Sequence, residues 1–122
     1  MAKNFFQRRK ILRKANVLDM TPVRSDQHEI NNEGRVAVLV PRFRNPKIAA
    51  FIISRKPKHF RIKLDEVGSA VWLRIDGQAT VKDICIDLRA ELAEKVEPAE
   101  ERISNFLMHL YEQRYLNFKE LL

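Results

Sequence analysis

The side chains able to do covalent chemistry in this chain stand apart from one another. His28, His59 and His109 fall in three separate segments, Cys85 is the single cysteine, and Asp65-Glu66 is an adjacent carboxylate pair. Metal binding by histidine or cysteine uses close spacings such as HxxxH or CxxC, and phosphate binding uses a glycine-rich loop; the sequence contains none of these. Two carboxylates share acid–base work only when they face one substrate, and neighbours on a helix point about 100° apart. Asp65 is better placed to cap a helix with its side-chain oxygen. Cys85 falls on an apolar helical stripe, where burial keeps a thiol inert. These residues predict no catalytic site, no metal and no cofactor, and so a protein that is not an enzyme.

Recognition is the chemistry that remains. His59, Phe60, Arg61, Ile62 and Lys63 alternate apolar with polar or basic, which predicts a strand with Phe60, Ile62 and Leu64 pointing inward and Arg61 and Lys63 on the opposite face. Arg102, Phe106, His109 and Gln113 are spaced by four, three and four residues, which puts them within about 60° of one another on a helix. Phe106 alone is more often core, and His109 alone more often surface. Together, an aromatic ring, a cation and polar donors beside a core stripe suit the wall of a peptide groove. From Arg35 to Leu64 there are nine basic residues and no acid, which favours an acidic partner approaching the strands.

Holding two such walls requires strands and helices in a definite order. Gln27 to Ile30 and Arg35 to Val40 flank Asn31-Asn32-Glu33-Gly34, whose residues tolerate positive φ, and this predicts a β-hairpin. Pro41 limits the second strand's ladder or places it at an edge. Ile48 to Ile53 fits a buried strand, but Asn45-Pro46 supplies an N-cap and a favoured first helical residue, so residues 46–55 lean toward a short helix. After Pro57 and the strand at 59–64, Asp65 caps a first helix and Gly77 is placed to stop it. Thr80 and Asp83 have capping-box spacing for a second helix, with Val81, Ile84, Cys85, Leu88 and Leu92 on one face. Pro98 suits the first turn of a third helix, whose Ile103, Leu107 and Leu110 fill its core stripe to about Arg114. Trp72, one turn from Gly68, is read as core. The fold class is α+β: a winged helix-turn-helix with an N-terminal β-hairpin plus a third strand, followed by three helices.

A chain of 122 residues, 45 % hydrophobic, has the size and apolar content for one core. The single cysteine fits a reducing compartment, no apolar run approaches the ~18 residues of a membrane span, and the basic start lacks the apolar block of a secretory signal. The expected location is cytoplasmic. Residues 1–24 carry seven Lys or Arg and one acid, so they are read as a basic N-terminal arm and 25–122 as the single domain. Within the arm, the apolar pairs Phe5-Phe6, Ile11-Leu12 and Val17-Leu18 fit neither helical nor strand periodicity cleanly, which predicts a weak helix or a partly ordered arm. A solvated tail on its own domain, a membrane or nucleic-acid contact, and an acidic protein partner all fit that composition.

Leu64-Asp65-Glu66-x-Gly68-Ser69-x-x-Trp72, followed by Asp76-Gly77-x-x-Thr80-Val81-x-x-Ile84, resembles the PqqD-like family, whose small proteins and domains recognise precursor peptides of ribosomally made natural products. The resemblance extends over about residues 28 to 118. It implies a non-catalytic peptide-binding module, a peptide chaperone, that captures a precursor's leader segment by strand addition. The module then presents the leader to a modifying enzyme, often a radical S-adenosylmethionine protein. Carried onto this chain, the peptide-binding residues are His59, Phe60, Arg61, Ile62 and Lys63 on the third strand and Arg102, Phe106, His109 and Gln113 on the third helix. Arg114 departs from the family by standing late in the helix where relatives often place glycine. The N-terminal arm and residues 44–57 exceed a minimal member. Nothing in the sequence points to pyrroloquinoline quinone itself.

A winged helix also serves DNA-binding transcriptional regulators, and a pI near 9.9 is compatible with that alternative. Against it, the second helix carries Lys82, Asp83, Asp87, Arg89, Glu91 and Glu94, a poor face to lay against phosphates. Specific nucleic-acid binding is not expected.

Overall fold

The computed structural model describes residues 3–14, 16–41 and 59–122. In chain order its elements are α1 (Phe5–Lys14), β1 (Pro22–Arg24), β2 (Gln27–Ile30), β3 (Val36–Pro41), β4 (His59–Lys63), α2 (Glu66–Leu73), α3 (Val81–Leu92), α4 (Ala99–Glu112) and β5 (Leu116–Phe118). Residues 46–55, expected to lean helical, lie outside the described residues.

β2 and β3 form the predicted hairpin, and β4 adds antiparallel to β3, giving a three-stranded sheet in the order β2-β3-β4. The hairpin loop is organised by Asn31, whose side-chain oxygen accepts from the backbone N–H groups of Glu33 and Arg35 at 2.9 and 3.0 Å. Gly34 supplies the positive φ of +79° that closes it. Val36, Val38 and Val40 turn one face of β3 into the core, as strand alternation requires. Pro41 is the last residue of this central strand, opposite His59 of β4.

Two caps start the helices that follow. The Asp65 carboxylate accepts the Gly68 N–H at 2.7 Å to open α2. Thr80 and Asp83 form a complete capping box at α3, Thr80 Oγ1 accepting from Asp83 N–H at 3.2 Å and Asp83 Oδ2 from Thr80 N–H at 3.0 Å. α2 ends at Leu73, before Gly77, which instead occupies the following bend at φ +77°. There the Asp76 carboxylate accepts from the N–H groups of Gln78 and Ala79, which holds its pKa below the usual range. Val81, Ile84, Cys85 and Leu88 of α3 and Ile103, Leu107 and Leu110 of α4 are buried around Trp72 and Val71 of α2. Burial raises the Cys85 thiol pKa, as expected of an inert core cysteine. α4 stops at Glu112, two residues short of the expected end at Arg114.

One feature was not anticipated. Met20, Thr21 and Pro22, placed by sequence in the basic arm, are buried, and β1 pairs antiparallel with β5, Pro22 opposite Phe118 and Arg24 opposite Leu116. This small sheet ties the two ends of the chain into one body. Ahead of it, α1 is a ten-residue helix opened by reciprocal bonds between Asn4 and Gln7, with Ile11 packed on the core. No helix among the described residues is long and apolar enough to cross a membrane.

Candidate functional site

β4 has a strand neighbour on one side only among the described residues. Which of its backbone groups face the open side follows from the register. Leu64 N–H donates to Val36 C=O at 2.9 Å, and Ile62 and Phe60 lie opposite Val38 and Val40. Bonding alternates along an antiparallel pair, so Phe60, Ile62 and Leu64 spend their backbone groups on β3. The N–H and C=O groups of His59, Arg61 and Lys63 point to the open edge.

The side chains follow the same alternation, with one correction. Leu64 is buried and Ile62 partly buried, but Phe60 is 52 % exposed. The helices cover the end of the strand that runs into α2, whereas Phe60, toward its other end, stays half-exposed. Across the sheet, Ile30 of β2 is similarly 54 % exposed. On the outer face Arg61 and Lys63 are both exposed, but Arg61 reaches across β3 to Glu29 of β2, its Nε 3.1 Å from the carboxylate. Sequence spacing gave no sign of this pair, because Glu29 belongs to the first strand of the hairpin and meets Arg61 only through the register. At this exposure the pair is worth a fraction of a kcal/mol to about 1 kcal/mol, weak enough for an incoming carboxylate to compete.

Arg102 and Phe106 of α4 line a small pocket of about 120 Å³ whose other walls are Asp65, Val67, Gly68 and Val71. The helix wall therefore meets the first turn of α2, the turn that leaves β4 through Leu64 and Asp65. Gly68 permits this approach: a Cβ there would lie 3.2 Å from Phe106 Cζ and 3.0 Å from the capping Asp65 oxygen. Phe106 is partly buried and packs against the core, and it also lines the pocket. Arg102 also donates to the Lys95 carbonyl at 2.6 Å. His109 and Gln113 are exposed farther along α4, Gln113 as the residue that ends the helix. The nine predicted residues thus fall in two groups, the β4 edge and the α4 wall, joined by the Asp65 to Val71 turn.

Ser69, which the sequence offered only as part of a motif, is buried and bonds both β3 and the end of β4. A small hydroxyl residue one position after a helix-packing glycine was the available signal. Trp72 is fully buried, with His28 edge-on to its ring at 6.2 Å and the Arg24 guanidinium 5.8 Å from the ring centre. Among the described residues there is no cluster of three His, Cys, Asp or Glu side chains able to hold a metal.

Residues 57–116, about half of the chain, match the family model of coenzyme PQQ synthesis protein D, PqqD. The chain is PqqD-like. The match begins immediately before β4 and ends at the start of β5, so it contains the edge, the Gly68-Ser69-Trp72 turn and the α4 wall. It is shorter than the resemblance read from residue 28, because the β2-β3 hairpin lies outside it. No curated protein and no solved structure matches the chain. At the level of the family, PqqD-like proteins are peptide-binding partners in PQQ and related peptide biosynthesis. The α+β winged-helix outline described above is compatible with that family.

Proposed function

We propose that this protein is a non-catalytic peptide chaperone that captures the leader segment of a precursor peptide by strand addition at β4 and presents it to a peptide-modifying enzyme. A radical S-adenosylmethionine enzyme is the partner that the family resemblance suggests. The carrying observation is the edge of β4 that has no strand neighbour among the described residues, toward which the backbone groups of His59, Arg61 and Lys63 point, away from β3. Affinity comes from those backbone groups, and selection from the side chains around them. Phe60 and Ile62 offer apolar contact on the inward face, Arg61 and Lys63 attract acidic residues on the outer face, and Arg102, Phe106, His109 and Gln113 supply the helical wall. Regulation of DNA fits less well. Arg89, a cation on the exposed side of α3, is held by Glu97 at 2.8 Å and by Glu100, leaving a largely acidic surface where a major groove would lie.

The test is a titration of isotope-labelled protein with candidate leader peptides. Amide shifts are expected in residues 59–64 and 102–113. Shifts confined to α1 or α3 would sink strand addition at β4.

A further inference from the structure

A second concave surface lies where α1 meets the C-terminal end of α4. α1, the end of α4 and β5 enclose a cleft of about 720 Å³. Arg8 and Arg9 of α1 line it together with Arg114, which follows α4, against a single carboxylate, Glu112. Phe5 and Tyr111 add aromatic surface to the same wall. Phe5 is 59 % exposed, and the Arg9 guanidinium lies 5.9 Å from its ring centre.

The segment that carries Arg8 and Arg9 is held in place. Asn4 and Gln7 cap α1, Ile11 packs on the core, and Lys3 Nζ donates to the Leu122 carbonyl oxygen at 2.9 Å. On the opposite wall Tyr111 packs against the buried Phe118 at a ring separation of 5.5 Å. The cleft is thus cationic, partly apolar and built from elements anchored on both sides.

We infer that this cleft binds an acidic segment of a partner polypeptide, at a site separate from β4. Arg8 and Arg9, with Glu112 the one carboxylate among the lining residues, favour an anionic ligand. The choice of polypeptide over nucleic acid rests on two features. Glu112 opposes a continuous row of phosphates, whereas acidic side chains spaced along a peptide straddle it. Leu116 of β5 is in the wall, and β5 has a strand neighbour on one side only among the described residues, so its backbone suits a peptide.

The test uses the full chain and a fluorescently labelled oligo-glutamate peptide containing leucine, followed by anisotropy. The double variant Arg8→Glu/Arg9→Glu is expected to weaken binding roughly tenfold or more. The charge-matched control Arg35→Glu/Lys82→Glu, outside the cleft, is expected to stay close to the parent. Arg61→Glu tests the β4 edge instead, so loss there and loss here are distinguishable. Thermal melts of each variant separate lost binding from lost folding, and Phe5→Ala provides a second, charge-neutral variant expected to weaken binding several-fold. Equal weakening in the charge-matched control, or no binding by the parent, overturns the inference. So does tighter, Arg8- and Arg9-dependent binding to a single-stranded oligonucleotide or to phosphatidylserine vesicles than to the peptide.

Discussion

The Ser69 hydroxyl on α2 accepts a 2.8 Å hydrogen bond from the Val36 backbone N–H on β3. The same oxygen lies 3.4 Å from the Leu64 carbonyl, to which it donates. It therefore occupies the place of the ladder bond that Val36 N–H would make to Leu64, while the return bond from Leu64 N–H to Val36 remains. One hydroxyl ends the β3-β4 ladder and pins α2 to the sheet, immediately after β4 gives way to the Asp65 cap.

Ser69→Ala is accordingly expected to leave a buried N–H without its acceptor and to cost about 1–3 kcal/mol. Chemical denaturation measures the loss, and hydrogen exchange at the Val36 amide should accelerate. A change of only a few tenths of a kcal/mol would mean that Leu64 moves in to take the bond back.

Trp72→Ala removes the largest fully buried side chain and is expected to cost about 3–5 kcal/mol. Thermal melting reads this directly. A variant that melts like the parent while losing peptide binding would make Trp72 a surface anchor, against the packing described.

Acid should weaken the fold in a step that belongs to His28. Burial, and then the nearby Arg24 charge, hold the His28 pKa below its ordinary 6.5. The folded state thus prefers neutral imidazole. The stabilisation is fully present above 6.5, and it is lost as pH falls from there through the lowered folded value. Glu100, lowered by its bond to Arg89, moves in the same direction but titrates in the carboxylate range. Melting temperature is expected to decline below pH 6.5 in the parent and to do so less in His28→Gln. Identical profiles would remove His28 as the cause.

Arg114 sits at φ +68°, just past the end of α4. Its N–H donates to Tyr111 C=O at 3.0 Å, and the Tyr115 N–H donates to Leu110 C=O at 2.9 Å, the paired bonds of a left-handed helix stop. A non-glycine side chain at positive φ is strained. Arg114→Gly should be more stable than Arg114→Ala by about 1 kcal/mol, a comparison that removes the arginine's own contacts from both sides. Equal stabilities would show that the φ carries no strain.

What could be read from sequence was local. Asp65, Thr80 and Asp83 announce helix starts because a cap is a relation among four neighbouring residues, and the stripes of α3 and α4 announce their buried faces for the same reason. Phe60 shows where that logic stops: alternation assigns its face, but how far the helices extend over that face is a tertiary property. β1 and β5 were missed because each has only three residues and its partner is at the far end of the chain. Placing Met20 and β1 in the arm followed from charge, which does not report packing. A truncation meant to remove only the arm must therefore stop near residue 14, the end of α1.

The register of β4 gives the sharpest test of the peptide site. Phe60 and Ile62 direct their amides to β3, whereas the amides of Arg61 and Lys63 face the open edge. In the free protein, hydrogen exchange should be slow at Phe60 and Ile62 and fast at Arg61 and Lys63. A leader peptide added as a strand must slow Arg61 and Lys63 while changing the other two little, giving a two-residue period in the protection gained. Arg61→Glu/Lys63→Glu should weaken that peptide without unfolding the domain, because both side chains are exposed on the outer face. Uniform protection along β4 would indicate general stiffening. Protection confined to residues of α4 would indicate a peptide held by the helical wall alone, and strand addition would then be wrong.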